Sequence, residues 1–216
     1  MKTIIFLLFI LSGYVYSFLS TIGNDSVNLI QPKEVENDII PKYDSKYFKH
    51  WTDEDNDCQG TRTEVLIRDS MDGKVMYNDD KECTAIFSVV YDYYTGKILP
   101  SYLVDIDYFV PLKNAWMSGA WKWTPEKREQ YANDLTDKWH LLSISSDVNR
   151  SKSWKSPDEW MPPDFSFHIF YCVKWLDIKV KWDLTATQKE VNFIKEVLKD
   201  FDKNRKTPRQ YPKIRN

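Results

Sequence analysis

Val104-Asp105-Ile106-Asp107-Tyr108-Phe109-Val110-Pro111-Leu112 is the stretch from which the rest of the chain is read. Val104, Ile106, Tyr108 and Val110 alternate with Asp105, Asp107 and Phe109, the two-residue period of a half-buried strand. Pro111 ends it, because proline has no N–H to give to a ladder. Downstream, Thr124-Pro125 offers an N-cap followed by proline at the first helical position, predicting a helix to about Leu135. Residues 140–144 read as a second short strand, and Asp147 as the cap of a helix starting at Val148. The order over residues 104–152 is therefore strand, helix, strand, helix.

The surroundings are those of one folded domain. The chain has 216 residues, with nine Trp, thirteen Tyr and eleven Phe, so a large core can be buried and wholesale disorder is excluded. Only six Gly exclude collagen-like, glycine-linker and P-loop readings. Thirty basic residues against thirty-two acidic ones leave a net charge of −2, so any affinity for nucleic acid must be local. Lys2, the apolar run 4–11 and Val15-Tyr16-Ser17 predict a secretory signal peptide over 1–17, too short to span a bilayer. A polar leader is expected over 18–42, the domain over 43–202, and a basic tail over 203–216 holding six Lys and Arg and no acid. The expected product is secreted, with no membrane contact once the signal is cut.

Cys58 and Cys83 flank a turn-rich segment and are the expected disulfide, while Cys172, in an apolar stretch, is expected as a buried thiol. Without a C-x-x-C and with only His50, His140 and His168, a Cys/His zinc site is not supported. Asp53-Glu54-Asp55-Asn56-Asp57 lacks the glycine and distant glutamate of an EF-hand and reads as a solvated turn. A helix is predicted over 61–68 and a strand over 85–90. Ser156-Pro157-Asp158-Glu159 and Thr185-Ala186-Thr187-Gln188 fit capping boxes. Val191, Ile194, Leu198 and Phe201 then share one face of the last helix, an ordinary core stripe. Of two glycosylation sequons, at Asn24 and Asn149, the first is the expected glycan site.

Hydrolysis of a phosphodiester by metal assistance needs oxygen ligands for a hard cation, a base for water and cations to hold the phosphate. Asp107 near a strand end, Asn149 near a helix start, and Arg150 and Lys152 beside it are of those types. Their order gives the types weight. Asp105-Ile106-Asp107-Tyr108-Phe109-Val110-Pro111, then His140, then Asn149-Arg150-Ser151-Lys152 nine residues later, resembles the ββα-metal (HNH) nuclease motif. That motif reads D-x-D-H-x-V-P, a middle Asn or His, and N-R-x-K. Trp51, Cys58, Thr61-Arg62, Ala115-Trp116, Ser118-Gly119-Ala120, Trp123-Thr124, Asn133-Asp134-Leu135 and Pro157 to Pro162 resemble the C-terminal domain of GmrSD restriction endonucleases, in a secreted branch. The resemblance covers about residues 43–201. It implies an α+β fold with a ββα-metal core, added helices and a small N-terminal β/loop region, and Asp107 and Asn149 ligating one Mg²⁺ or Mn²⁺. It further implies Arg62, Arg150 and Lys152 on nucleic-acid phosphates, and His140 orienting the catalytic loop. DNA is the implied substrate, with RNA as the second option. A glycan on Asn149 is then not expected, since that residue would face the metal.

One position departs from the family. The general-base histidine that follows the second aspartate is Tyr108 here. A phenol with its ordinary pKa of about 10 cannot take water's proton efficiently at pH 7, and losing a positioned base costs about 10²–10⁴ in rate. Three readings stand: a weakened endonuclease that uses His140 or metal-bound hydroxide, a sequence inactivated by experiment, and a pseudo-nuclease that binds nucleic acid or another extracellular partner. On the last, Tyr108 is a repacked aromatic of the core.

Overall fold

The computed structural model describes residues 40–78 and 82–204, with side chains as far as residue 200. Helix α1 (Thr61–Asp69) is followed by β1 (Met76–Tyr77), β2 (Ala85–Phe87), β3 (Val89–Asp92) and β4 (Lys97–Pro100). Strand β5 (Val104–Tyr108) runs into α2 (Leu112–Met117) and α3 (Pro125–Ala132), and β6 (Leu141–Ser145) into α4 (Ser146–Lys152). Two longer helices follow, α5 (His168–Lys181) and α6 (Gln188–Asn204). The described strands form three antiparallel pairs, β1–β2, β3–β4 and β5–β6. The fold is α+β, as the resemblance implies.

The ribbon β5–β6 organises the rest. Its register runs from Val104 opposite Ser145 to Tyr108 opposite Leu141, so Asp105 and Asp107 share a face with their partners Ile144 and Leu142. Helix α4 packs against both strands, completing a ββα core. Val104, Ile106 and Leu141 turn the other way, into a cluster with Val65 and Leu66 of α1 and Val90 of β3. The outer edge of β6 is closed by side chains. Ser143 N donates to Asp69 Oδ2 at 3.0 Å and Ser145 N to Asp92 Oδ2 at 3.3 Å, while Arg68 Nη2 donates to the Leu141 carbonyl at 2.6 Å. These bonds give the edge polar groups the partners that a third strand would supply.

The larger core lies on the helical side. Helix α5 gives it Tyr171, Cys172, Trp175, Leu176 and Ile178, and α6 the stripe Val191, Ile194 and Leu198. The side chain of Phe201, expected in that stripe, lies outside the described residues. So do the expected signal peptide, most of the leader with its Asn24 sequon, and most of the basic tail. The packing reaches back into the expected leader: Ile40 sits on the core and the Pro41 carbonyl accepts from Trp116 Nε1 at 2.8 Å.

Several boundaries differ from the sequence reading, each for a local reason. The single strand expected over 85–90 is two, because at Ser88 the backbone leaves its line to bond Ser101: Ser88 N donates to Ser101 Oγ and Ser101 N to Ser88 O, both at 2.9 Å. Helix α3 stops at Ala132, where the Asn133 amide donates to the Lys49 carbonyl and to the Glu129 carbonyl of its own helix and accepts from Thr52 N and Thr61 Oγ1. The capping box at 156–159 exists as a turn, with Ser156 N on Glu159 Oε2 at 3.4 Å, but Pro162 and Pro163 follow and no helix grows. The box at the start of α6 is Thr187 with Glu190, two residues later than expected. Cys58 and Cys83 are bonded, across 25 residues that include α1, and Cys172 is a buried free thiol whose pKa burial pushes up to about 12.

Candidate functional site

Alternation along β5 and the helical repeat of α4 bring the expected residues to one seam. Asp105 and Asp107 are two residues apart on the strand face that α4 covers, while Asn149 and Lys152 are three apart and so share a side of the helix. The two acids differ in setting. Asp105 is half-buried; its Oδ1 accepts from Ser146 Oγ at 2.9 Å and its Oδ2 from Asn149 Nδ2 at 3.4 Å. Asp107 is buried, with Oδ1 on Lys152 Nζ at 2.8 Å and Oδ2 on the Tyr94 hydroxyl at 2.8 Å.

Lys152 is the main correction to the sequence reading. It is expected on a substrate phosphate, yet its side chain is fully buried, and Nζ also donates to the Tyr108 carbonyl at 2.8 Å. The reason is the length of its stem and its place three residues beyond Asn149, which carry the ammonium under the ribbon to the nearest buried anion. Burial pushes the Asp107 pKa up and the Lys152 pKa down, and the charge of each opposes the shift of the other. An isolated buried charge would be far costlier than this hydrogen-bonded pair. Asn149, expected to share a cation with Asp107, has Asp105 as its hydrogen-bonding carboxylate.

The remaining expected residues spread around the seam. Arg150 is exposed and pairs with Asp147 on its own helix. Arg62 is exposed on the first turn of α1 and, among the described residues, makes no bond to the cluster. His140 lies beneath: its main-chain carbonyl accepts from Phe109 N at 3.0 Å, fixing the end of β5. Its Nε2 donates to the Tyr131 carbonyl at 2.7 Å, and burial holds its pKa below the ordinary imidazole value. It is sealed in the core, where it cannot meet water. The Tyr108 hydroxyl donates to the Ala132 carbonyl at 3.1 Å, its ring packs near Trp51 and His140, and burial raises its pKa.

Tyr94, Ser146 and Asp92 also shape the seam without being anticipated. Asp92 accepts from Tyr94 N at 2.8 Å and Thr95 Oγ1 at 2.7 Å, holding the β3–β4 turn so that the Tyr94 hydroxyl reaches Asp107. Nothing in the local sequence of Tyr94 signals this. Asp105 had a signal, since it shares the Asp107 face by alternation. The exposed Asp53, Asp55 and Asp57 accept mainly from nearby main-chain N–H groups, as a solvated turn does.

A two-stranded ribbon bearing two aspartates, crossed by a short helix bearing Asn149 and Lys152, defines a nuclease-like ββα domain. The family model for the C-terminal domain of GmrSD restriction endonucleases matches residues 60–197, more than half of the chain, and the chain belongs to that family. A protein of Arthroderma benhamiae described as an uncharacterized secreted protein is 34% identical over 157 residues, covering 72% of this chain and 74% of the relative. No solved structure matches the chain significantly.

Proposed function

We propose that this is a secreted, nuclease-like protein that binds nucleic-acid phosphodiesters, DNA or RNA, at the β5–α4 seam and hydrolyses them slowly with a divalent cation, Mg²⁺ or Mn²⁺. The observation that carries the reading is the gathering of carboxylate, amide and hydroxyl oxygens from Asp105, Asp107, Asn149 and Ser146 on one side of the ribbon. Oxygen donors of that kind suit a hard cation. Asn149 and Asp107 would hold it as the family pattern implies. Asp105, half-exposed and bonded to Asn149, is a third donor of the right type. The cation would stabilise charge building on the phosphate in the transition state. Arg150, exposed beside Asn149, would draw a neighbouring phosphate. Lys152 holds Asp107 in place and, by its charge, lowers that carboxylate's hold on a cation. Secretion is supported by the apolar run 4–11, the disulfide and the description of the Arthroderma relative.

Tyr108 favours the second reading, a binder without turnover, because its hydroxyl is engaged as a donor to Ala132. Plasmid nicking by the mature chain in Mg²⁺, Mn²⁺ and EDTA separates the two. Slow nicking that EDTA, Asp107→Ala and Asn149→Ala each abolish supports the enzyme, and binding without nicking selects the second reading. Nicking that survives both substitutions would place the chemistry elsewhere. Tyr108→Phe is expected to leave nicking unchanged, and Tyr108→His to raise it by about 10²–10⁴, the worth of a positioned base. No rise in the latter would show that position 108 does not reach the attacked bond.

A further inference from the structure

Trp154 stands apart from the other large aromatics near the seam. It is 42% exposed, and it belongs to neither apolar core. It lies two residues past α4, beyond Ser153, which takes a left-handed φ of 54° and turns the chain out of the helix. Lys113 Nζ sits 4.1 Å from the centre of the indole ring. The Trp154 carbonyl is tied to α2 as well, accepting from Asn114 Nδ2 at 3.4 Å. The pair thus joins the two segments that leave the seam: α2, which follows β5, and the end of α4, two residues beyond Lys152. A partly exposed indole with an ammonium over its ring brings an aromatic surface and a cation together, the combination on which unpaired bases stack while their phosphates are neutralised.

We propose that Trp154 and Lys113 form a stacking subsite for one unpaired base of the nucleic acid bound at the seam, so that the ligand is single-stranded or locally opened. The proposal rests on the functional reading above. A base inside a duplex has both faces covered by its neighbours and cannot offer one to an indole without being unstacked.

The test is fluorescence anisotropy in EDTA, which blocks cleavage, with a fluorescein-labelled single-stranded 12-mer of about mixed sequence and the same 12-mer annealed to its complement. The wild-type chain is expected to prefer the single strand. Trp154→Ala should weaken single-strand binding by about 5- to 150-fold, with the duplex changed less than about twofold, and Trp154→Phe should keep most of the affinity. Lys113→Ala should reduce the salt slope on the single strand by about 0.7. An unchanged thermal midpoint for Trp154→Ala shows that lost binding is not lost folding. Equal binding by Trp154→Ala and wild type overturns the subsite while leaving the seam to the nicking assay. If the wild-type chain binds neither oligonucleotide the subsite is overturned too, and the functional reading falls with it only if nicking is also absent.

Discussion

Lys152 shows how one side chain can have a readable identity and a hidden role. The N-R-x-K spacing marks it as part of the site, but spacing does not tell whether an ammonium faces solvent or a buried acid. That depends on Tyr94 and Asp107, brought from other elements. The stability consequence is direct. Lys152→Met should leave Asp107 buried without its cation and cost about 3–5 kcal/mol in urea denaturation. Adding Asp107→Leu should recover much of that loss, and additive losses in the double variant would show the two side chains to be uncoupled. His140 provides a second case. Its buried imidazole has a lowered pKa, so the unfolded chain takes up a proton that the folded one refuses. Stability should therefore fall as pH drops below about 6.5, by up to about 1.4 kcal/mol per unit. Compared by denaturant titration at pH 7.5 and 5.5, His140→Phe should lose less stability than wild type over that interval; an equal loss would assign the effect to other groups.

At the scale of elements, β5, β6, α4 and the stripe of α6 were legible because each follows a simple period or cap. Helix α5 was not, since its apolar residues surround most of the helix and leave no amphipathic rhythm to read; burial on nearly every side is the cause. Its junction with α6 depends on Glu190. That carboxylate accepts from Lys179 Nζ at 2.8 Å, from Trp175 Nε1, and from Thr187 N at 3.1 Å, so one side chain caps α6 and fastens it to α5. Glu190→Ala should strand the buried Lys179 and cost about 3–5 kcal/mol, whereas Glu190→Gln keeps the shape and should cost less. Equal midpoints for the two variants by thermal circular dichroism would show that the lost charge, and not the lost shape, sets the cost.

For the whole molecule, the pairing of Cys58 with Cys83 was legible from the cysteine count and the expected secretion, while what it encloses was not. The bond spans α1, which covers one face of β5–β6 and supplies Asp69 and Arg68 to the β6 edge. Cys58→Ser with Cys83→Ser should lower stability by about 3 kcal/mol through the freed unfolded chain, read as a shift in urea midpoint. In the denatured wild type, thiol titration should find one reactive cysteine, Cys172. The same bond bears on how the chain survives a protease. A single cut anywhere between positions 58 and 83 leaves both fragments covalently joined, with α1 still tethered to the body it packs on. Such a nicked particle would migrate as one species on a non-reducing gel and separate into two pieces only after a reductant is added.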